Sequence, residues 1–243
     1  GDDQASLPGA YAFLPWPLPY LAVVLTWGAF AGGVFQVREI LVQYVGDVAA
    51  YVSPSVLDRF ADLRRQIKDT VGAVARAVYE SAAADGRGWQ YDRVILVGHS
   101  LGSLIAYDTL NRLINEDALE GEEQQIVSRT GLFLTLGSPL DKTAFLFARQ
   151  GKSTSEAREA LAGSVQPMIQ SYARRPRRWV NVYSPHDVVS GELDFYDDAR
   201  DESARQKWIE NRRDPEATVP LLAHVQYWKH REVLDLLHAS ITQ

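Results

Sequence analysis

The joint at residues 93–110, RVILVGHSLGSLIAYDTL, constrains the fold more than any other stretch of the chain. Residues 93–97 are β-branched and aliphatic, the pattern of a strand buried on both faces of a parallel sheet. Residues 103–114 carry Leu104, Ile105, Leu110 and Ile114 in a mixed pattern of helical period. Gly98-His99-Ser100-Leu101-Gly102 stands between them. A chain that passes from strand to helix this abruptly presses the residues two before and two after the serine against neighbouring backbone, which predicts a need for glycine at both. The serine is expected in a strained conformation that lifts its hydroxyl off the sheet.

A serine hydroxyl becomes a nucleophile only when a base within hydrogen-bond reach takes its proton, and the base is most often a histidine oriented by a carboxylate. The chain has five histidines: His99, His186, His224, His230 and His238. His99 lies inside the joint, with its side chain expected to point away from the serine. His230 opens the last helix and His238 lies on it, and both read as surface residues. His186 adjoins a better carboxylate than itself. His224 follows the last strand candidate in a loop that could overhang the sheet, and is the preferred base.

For the acid, Asp187 lies just past the strand-like WVNVY, at the edge of a parallel sheet where active groups gather. Asp141, just past the preceding strand, is its rival. Asp187 is preferred because the order Ser100, Asp187, His224 then places the acid one strand before the histidine. Asp194 and Asp197 read as solvated loop charge. The backbone N–H of Leu101, opening the helix, is one oxyanion donor. The turn Trp27-Gly28-Ala29 is the upstream candidate for a second.

The surrounding elements agree with a parallel sheet covered by helices on both faces. Arg38 to Tyr51 reads as a helix. Ser53-Pro54-Ser55 opens another, with Val56, Phe60, Leu63, Ile67, Val71, Val74 and Val78 as its apolar stripe. It is expected to end near 85–88. TGLFLTLGSP at 130–139 and RRWVNVYSP at 177–185 read as further strands, ATVPLLAH at 217–224 as a fourth, and HREVLDLLHA at 230–239 as a closing helix. The connections 141–176 and 186–216 are long and polar.

No charged residue occurs between Gln4 and Val37, and Leu18 to Phe35 is nearly long enough to cross a bilayer. Three readings compete for it: a buried strand (21–26) with a glycine turn, a helix in or on a membrane, or a buried core helix. Without a basic stretch before it, it is a poor signal peptide, which points to a cytoplasmic or membrane-associated protein rather than a secreted one. Residues 1–50 are thus one segment and 51–243 a second domain.

The net charge of −6 argues against nucleic acid as the partner, with RRPRRW at 174–179 a local exception. That run could meet lipid head groups or an anionic substrate; a solvated turn balanced by DFYDDARDE at 194–202 is the simpler reading. With no cysteine, disulfides and thiolate metal sites are excluded.

VILVGHSLGS, LTLGSPLD, VNVYSPHDVVS and AHVQYWKHREVL, spread over about residues 90 to 235, resemble an α/β-hydrolase of the esterase and lipase kind. The resemblance implies a mostly parallel sheet with helices on both faces. It implies acyl transfer from an ester to water by Ser100, His224 and Asp187, with Leu101 as oxyanion donor and no metal or cofactor. Residues 141–176 fall where that family often carries a lid, and Phe145, Leu146 and Phe147 could line an acyl pocket, although ordinary helix packing is the simpler reading of them. The strands that precede the nucleophile in that family are reduced or missing here, and no His-Gly pair stands before Ser100. An acyltransferase with the same three residues, or a non-catalytic membrane-associated protein, are the alternatives. The expected partner is a small or lipid-like ester, with membrane contact through 18–35.

Overall fold

The computed structural model describes residues 18–52, 61–143, 166–197, 202–220 and 222–242. The start of the second helix at Ser53-Pro54-Ser55 and the acyl-pocket residues Phe145, Leu146 and Phe147, with most of the expected lid, lie outside them. The chain divides into two units between Ala49 and Ala50.

The described residues of the first unit lie in one long helix, α1 (Leu18–Val52), whose last turn passes the division. Pro19 sits in its first turn, where a missing N–H costs nothing. The strand reading of 21–26 is corrected by this helix, and so is the core-helix reading, since no residue from Leu18 to Phe35 is buried. Gly28, Gly32 and Gly33 lie inside it, each costing about 1 kcal/mol against alanine in a water-exposed helix.

The second unit is α/β. Its order is α2 (Ala61–Glu80), β1 (Val94–His99), α3 (Leu101–Leu119), α4 (Ile126–Arg129), β2 (Thr130–Leu136), α5 (Pro167–Gln170), β3 (Trp179–Tyr183), β4 (Glu210–Arg213), α6 (Ala223–Gln226) and α7 (Arg231–Thr242). The four strands are all parallel, in the spatial order β1-β2-β3-β4. Among the described residues no strand precedes β1, so the strand carrying Gly98 is an edge of the sheet.

Alternation along the strands feeds two cores. Phe133 and Trp179 face Tyr79 of α2 and Leu104, Leu110 and Ile114 of α3. Leu132, Leu134, Leu136, Val180 and Val182 face Val233 and Leu236 of α7. Both faces of the sheet are therefore covered by helices. The α2 stripe is shifted from its expected register. Leu63 and Val74 are exposed, while Ile67 and Ala75 pack on the core and Tyr79 is buried, its hydroxyl 2.6 Å from Thr130 Oγ1. The helix stops at Glu80, and a bridge between Ala82 and Trp89 closes the turn that leads into β1.

Two further expectations are corrected. The fourth strand is not ATVPLLAH but the charged Glu210-Asn211-Arg212-Arg213. It is an edge strand held by Arg178–Glu210 and Arg212–Glu232 ion pairs, each at 2.7 Å, and charge on an edge discourages further pairing. Ala217 is instead buried from a loop and Ala223, also buried, opens α6. Arg175 is not solvated: it is 1% exposed and donates to the carbonyls of Met168, Tyr196 and Lys207. Its charge is met by Asp197, which also accepts from the Ile209 amide at 2.8 Å and is therefore no solvated loop charge.

Candidate active site

All four strands run parallel, so their carboxyl ends share one edge, and the residues just past them form the site. Ser100 follows β1 with φ 55 and ψ −132, a strained conformation for a residue with a side chain. It is pinned on both sides. Its N–H donates to the Leu136 carbonyl at 3.0 Å, extending the ladder to β2. Its carbonyl accepts from the Ser103 amide at 2.9 Å and the Ser103 hydroxyl at 2.6 Å. The Ser103 hydroxyl also meets that of Ser138 at 2.7 Å, tying the first turn of α3 to the segment after β2.

Of the two flanking glycines, only Gly98 is sterically required. A Cβ there would stand 2.5 Å from Ser103 Cα and 2.8 Å from the Gly102 carbonyl oxygen. At Gly102 no atom lies within 4 Å of a Cβ, which corrects the expectation that both positions are crowded. The turn is tight on the strand side, where α3 folds back over β1, and open on the helix side.

Ser100, His224 and Asp187 are joined in series. The Ser100 hydroxyl lies 2.8 Å from His224 Nε2, and His224 Nδ1 lies 2.9 Å from Asp187 Oδ2. A carboxylate can only accept, so Nδ1 carries the proton and Nε2 is left to accept from the serine hydroxyl. The Asp187 side chain is 0% exposed and that of His224 18%, so the chain of bonds runs from buried acid to accessible serine. Burial alone would push the Asp187 carboxyl up. The hydrogen bond and electrostatic attraction of His224, with hydrogen bonds from the Val189 amide and the Tyr227 hydroxyl, outweigh it and hold the group below the usual carboxylate range.

Three elements position this set. Asp187 sits in the loop after β3, where Oδ1 accepts from the Val189 amide at 2.9 Å. Lys142 donates to the carbonyls of Val188 and Ser190 and so grips the same loop. His224 lies on α6 rather than in an irregular loop. Beneath the Asp187–His224 bond, Gly137 adopts φ +55, and a Cβ there would reach 2.8 Å from Tyr227 Cε2 and 3.2 Å from both Asp187 Oδ2 and His224 Nδ1.

Several participants were not anticipated. Tyr227 donates to Asp187 Oδ2 at 2.8 Å and lies 3.2 Å from the Ser190 hydroxyl. His99 Nε2 donates to the His224 carbonyl at 2.6 Å, and the two rings are 5.1 Å apart. Burial pushes the His99 pKa down, so it donates as a neutral imidazole. His230 is not a surface residue: it is buried, and its Nδ1 bonds Asp214 Oδ2. These contacts join residues far apart in the chain, and no local motif signals them. His186 and His238 are exposed. Asp141, the rival acid, lies against Gly191, where burial raises its pKa.

Leu101 is the first residue of α3, and its N–H has no acceptor four residues back within the helix. Residues 27–29 cannot supply a second oxyanion donor in the way expected, because they lie inside α1 with their amides engaged in the helix ladder. Among the described residues no group of three or more His, Asp or Glu is placed to hold a metal. No family model matches the chain, and neither the curated proteins nor the solved structures contain a match.

Proposed function

We propose that this chain is a serine hydrolase of the α/β-hydrolase type that cleaves carboxylic esters. The observation that carries this reading is the continuous hydrogen-bonded series from the strained Ser100 through His224 to the buried Asp187. His224 Nε2 takes the Ser100 proton as Oγ attacks the ester carbonyl. Asp187 holds the imidazole in the Nδ1–H tautomer and stabilises the imidazolium that forms. The Leu101 N–H stabilises the oxyanion, a role worth about 10²–10³ in rate for a single donor. The imidazolium then returns its proton to the leaving alkoxide, which departs as the alcohol. In the second half, His224 draws a proton from water, hydroxide adds to the acyl-serine carbonyl, and Ser100 is regenerated with release of the acid.

The side chains around the site favour an apolar ester. Val188 follows Asp187, Val225 follows His224, Leu222 stands two residues before it, and all three are exposed. Trp228, also exposed, stands with its ring 6.0 Å from that of His99. An apolar acyl chain would cover this rim and gain from leaving water.

The test is labelling of purified protein with a fluorophosphonate, wild type beside Ser100→Ala and His224→Ala, with p-nitrophenyl esters of graded chain length in parallel. Labelling confined to wild type, with turnover lowered by about 10⁴-fold or more in both variants, is the expected result. A folded wild-type chain that neither labels nor turns over any ester would overturn the reading.

A further inference from the structure

We infer that α1 crosses a lipid bilayer between Leu18 and Phe35 and anchors the chain in it. Eighteen residues in a helix rise about 27 Å, close to the hydrocarbon thickness of about 30 Å. The segment holds no charged residue, and the first charges after it, Arg38 and Glu39, come within a turn of its end. None of the eighteen residues is buried and all except Pro19 are exposed, including Tyr20, Leu21, Val24, Leu25, Trp27 and Phe30. Exposure on every side is not the one-sided pattern of a helix that packs against a protein core.

Helix formation itself points the same way. Three glycines and the β-branched Val23, Val24, Thr26 and Val34 make this a poor helix in water, and none of its residues is buried. In hydrocarbon the choice is different, because every backbone N–H and C=O must be bonded internally and only the helix does so within one segment. The hydroxyl of its threonine is likewise satisfied internally: Thr26 Oγ1 donates to the Ala22 carbonyl at 2.8 Å. The occupant that fits an uncharged, bilayer-length helix exposed on every side is the acyl region of a membrane.

This inference is independent of the hydrolase reading, and its test uses no activity. The full chain is expressed, membranes are washed with alkaline carbonate, and the protein is followed by flotation through a density gradient, which separates inserted protein from aggregates. Wild type and Ser100→Ala are expected to float at full length. Leu25→Lys combined with Ala29→Lys places two charges mid-span and is expected to lower the floating fraction by about tenfold or more. Leu25→Ala combined with Ala29→Leu keeps the span apolar and is expected to float like wild type. Three results would overturn the inference: wild type released by carbonate, the double-lysine chain floating as well as wild type, or a membrane-bound chain whose mass shows that residues 18–35 have been removed.

Discussion

Tyr227 donates its hydroxyl to Oδ2 of Asp187 at 2.8 Å, so the oxygen that receives His224 Nδ1 at 2.9 Å carries a second donor. The two bonds fix the carboxylate in rotation as well as in position. Tyr227→Phe removes one donor and almost no volume. With the bonds from His224 and Val189 still in place, a loss of about 1–2 kcal/mol of orienting interaction lowers kcat for an ester about 5- to 30-fold. KM should stay near its original value, and labelling of Ser100 should slow by a similar factor. An unchanged kcat in a folded variant would show that the hydroxyl plays no part in holding the acid.

The depressed pKa of Asp187 makes a prediction about stability against pH. Folding favours its ionised form, since burial, which opposes ionisation, is outweighed by His224, Val189 and Tyr227. The stabilisation is therefore present in full above the unfolded value of about 3.9 and is lost as pH falls through the lower folded value. Asp187→Asn should be less stable than wild type near neutral pH, with the gap closing as the solution is acidified below about pH 4. Urea midpoints for the two proteins across pH measure this directly. A gap that does not change with pH would mean that the carboxylate charge contributes nothing to folding.

The parts of this site that a reader of the sequence can find are those encoded locally. The strand, Gly98, Ser100 and the start of α3 are contiguous, so hydrophobic period and turn chemistry expose them together. Asp187 and His224 are found because each follows an apolar run, and in a parallel sheet the ends of such runs converge. His224 was reached through a wrong element, however. The apolar 217–222 stretch resembles a strand, yet Ala217 fills the core from a loop and the real fourth strand is Glu210–Arg213. An edge strand needs no apolar face, so its polarity hides it. His99, Tyr227, Gly137 and the Asp214–His230 pair were illegible for a different reason: their roles exist only once β1, β2 and α6 have been brought side by side.

The Asp214–His230 pair brackets the segment that carries His224. Asp214 extends the pairing of β4 with β3 through an N–H bond to the Tyr183 carbonyl at 2.8 Å, and its Oδ1 accepts from the Glu216 amide at 2.9 Å. Its other oxygen meets His230, and both side chains are buried. His230→Ala would leave the carboxylate without its imidazole in a place water does not reach. Breaking a buried pair in this way costs about 3 kcal/mol, or a fall in Tm of about 6–12 °C for a domain of this size. His230→Asn, which places an amide N–H near the position of Nδ1, should recover part of that loss. Calorimetry on the three proteins decides it; equal melting temperatures would show that the pair contributes no stability.

The two glycines of the joint make the sharpest comparison, because composition treats them alike and geometry does not. A methyl group at position 98 would collide with the backbone of Ser103 at 2.5 Å and of Gly102 at 2.8 Å, and backbone at the start of a 19-residue helix cannot step aside alone. Gly98→Ala must push α3 away from β1, carrying the Leu101 amide and Ser100 with it. The expected cost is about 3 kcal/mol or more, with loss of Ser100 labelling in whatever remains folded. Gly102 has helical backbone and open space, so Gly102→Ala removes unfolded-state freedom without strain and should raise stability by up to about 1 kcal/mol. Thermal melts and labelling of the two variants together test the geometry. If Gly102→Ala proves as damaging as Gly98→Ala, the helix must pack more tightly over the serine than these contacts allow. If it is stable but does not label, the open volume above Gly102 is space that the acyl group must occupy.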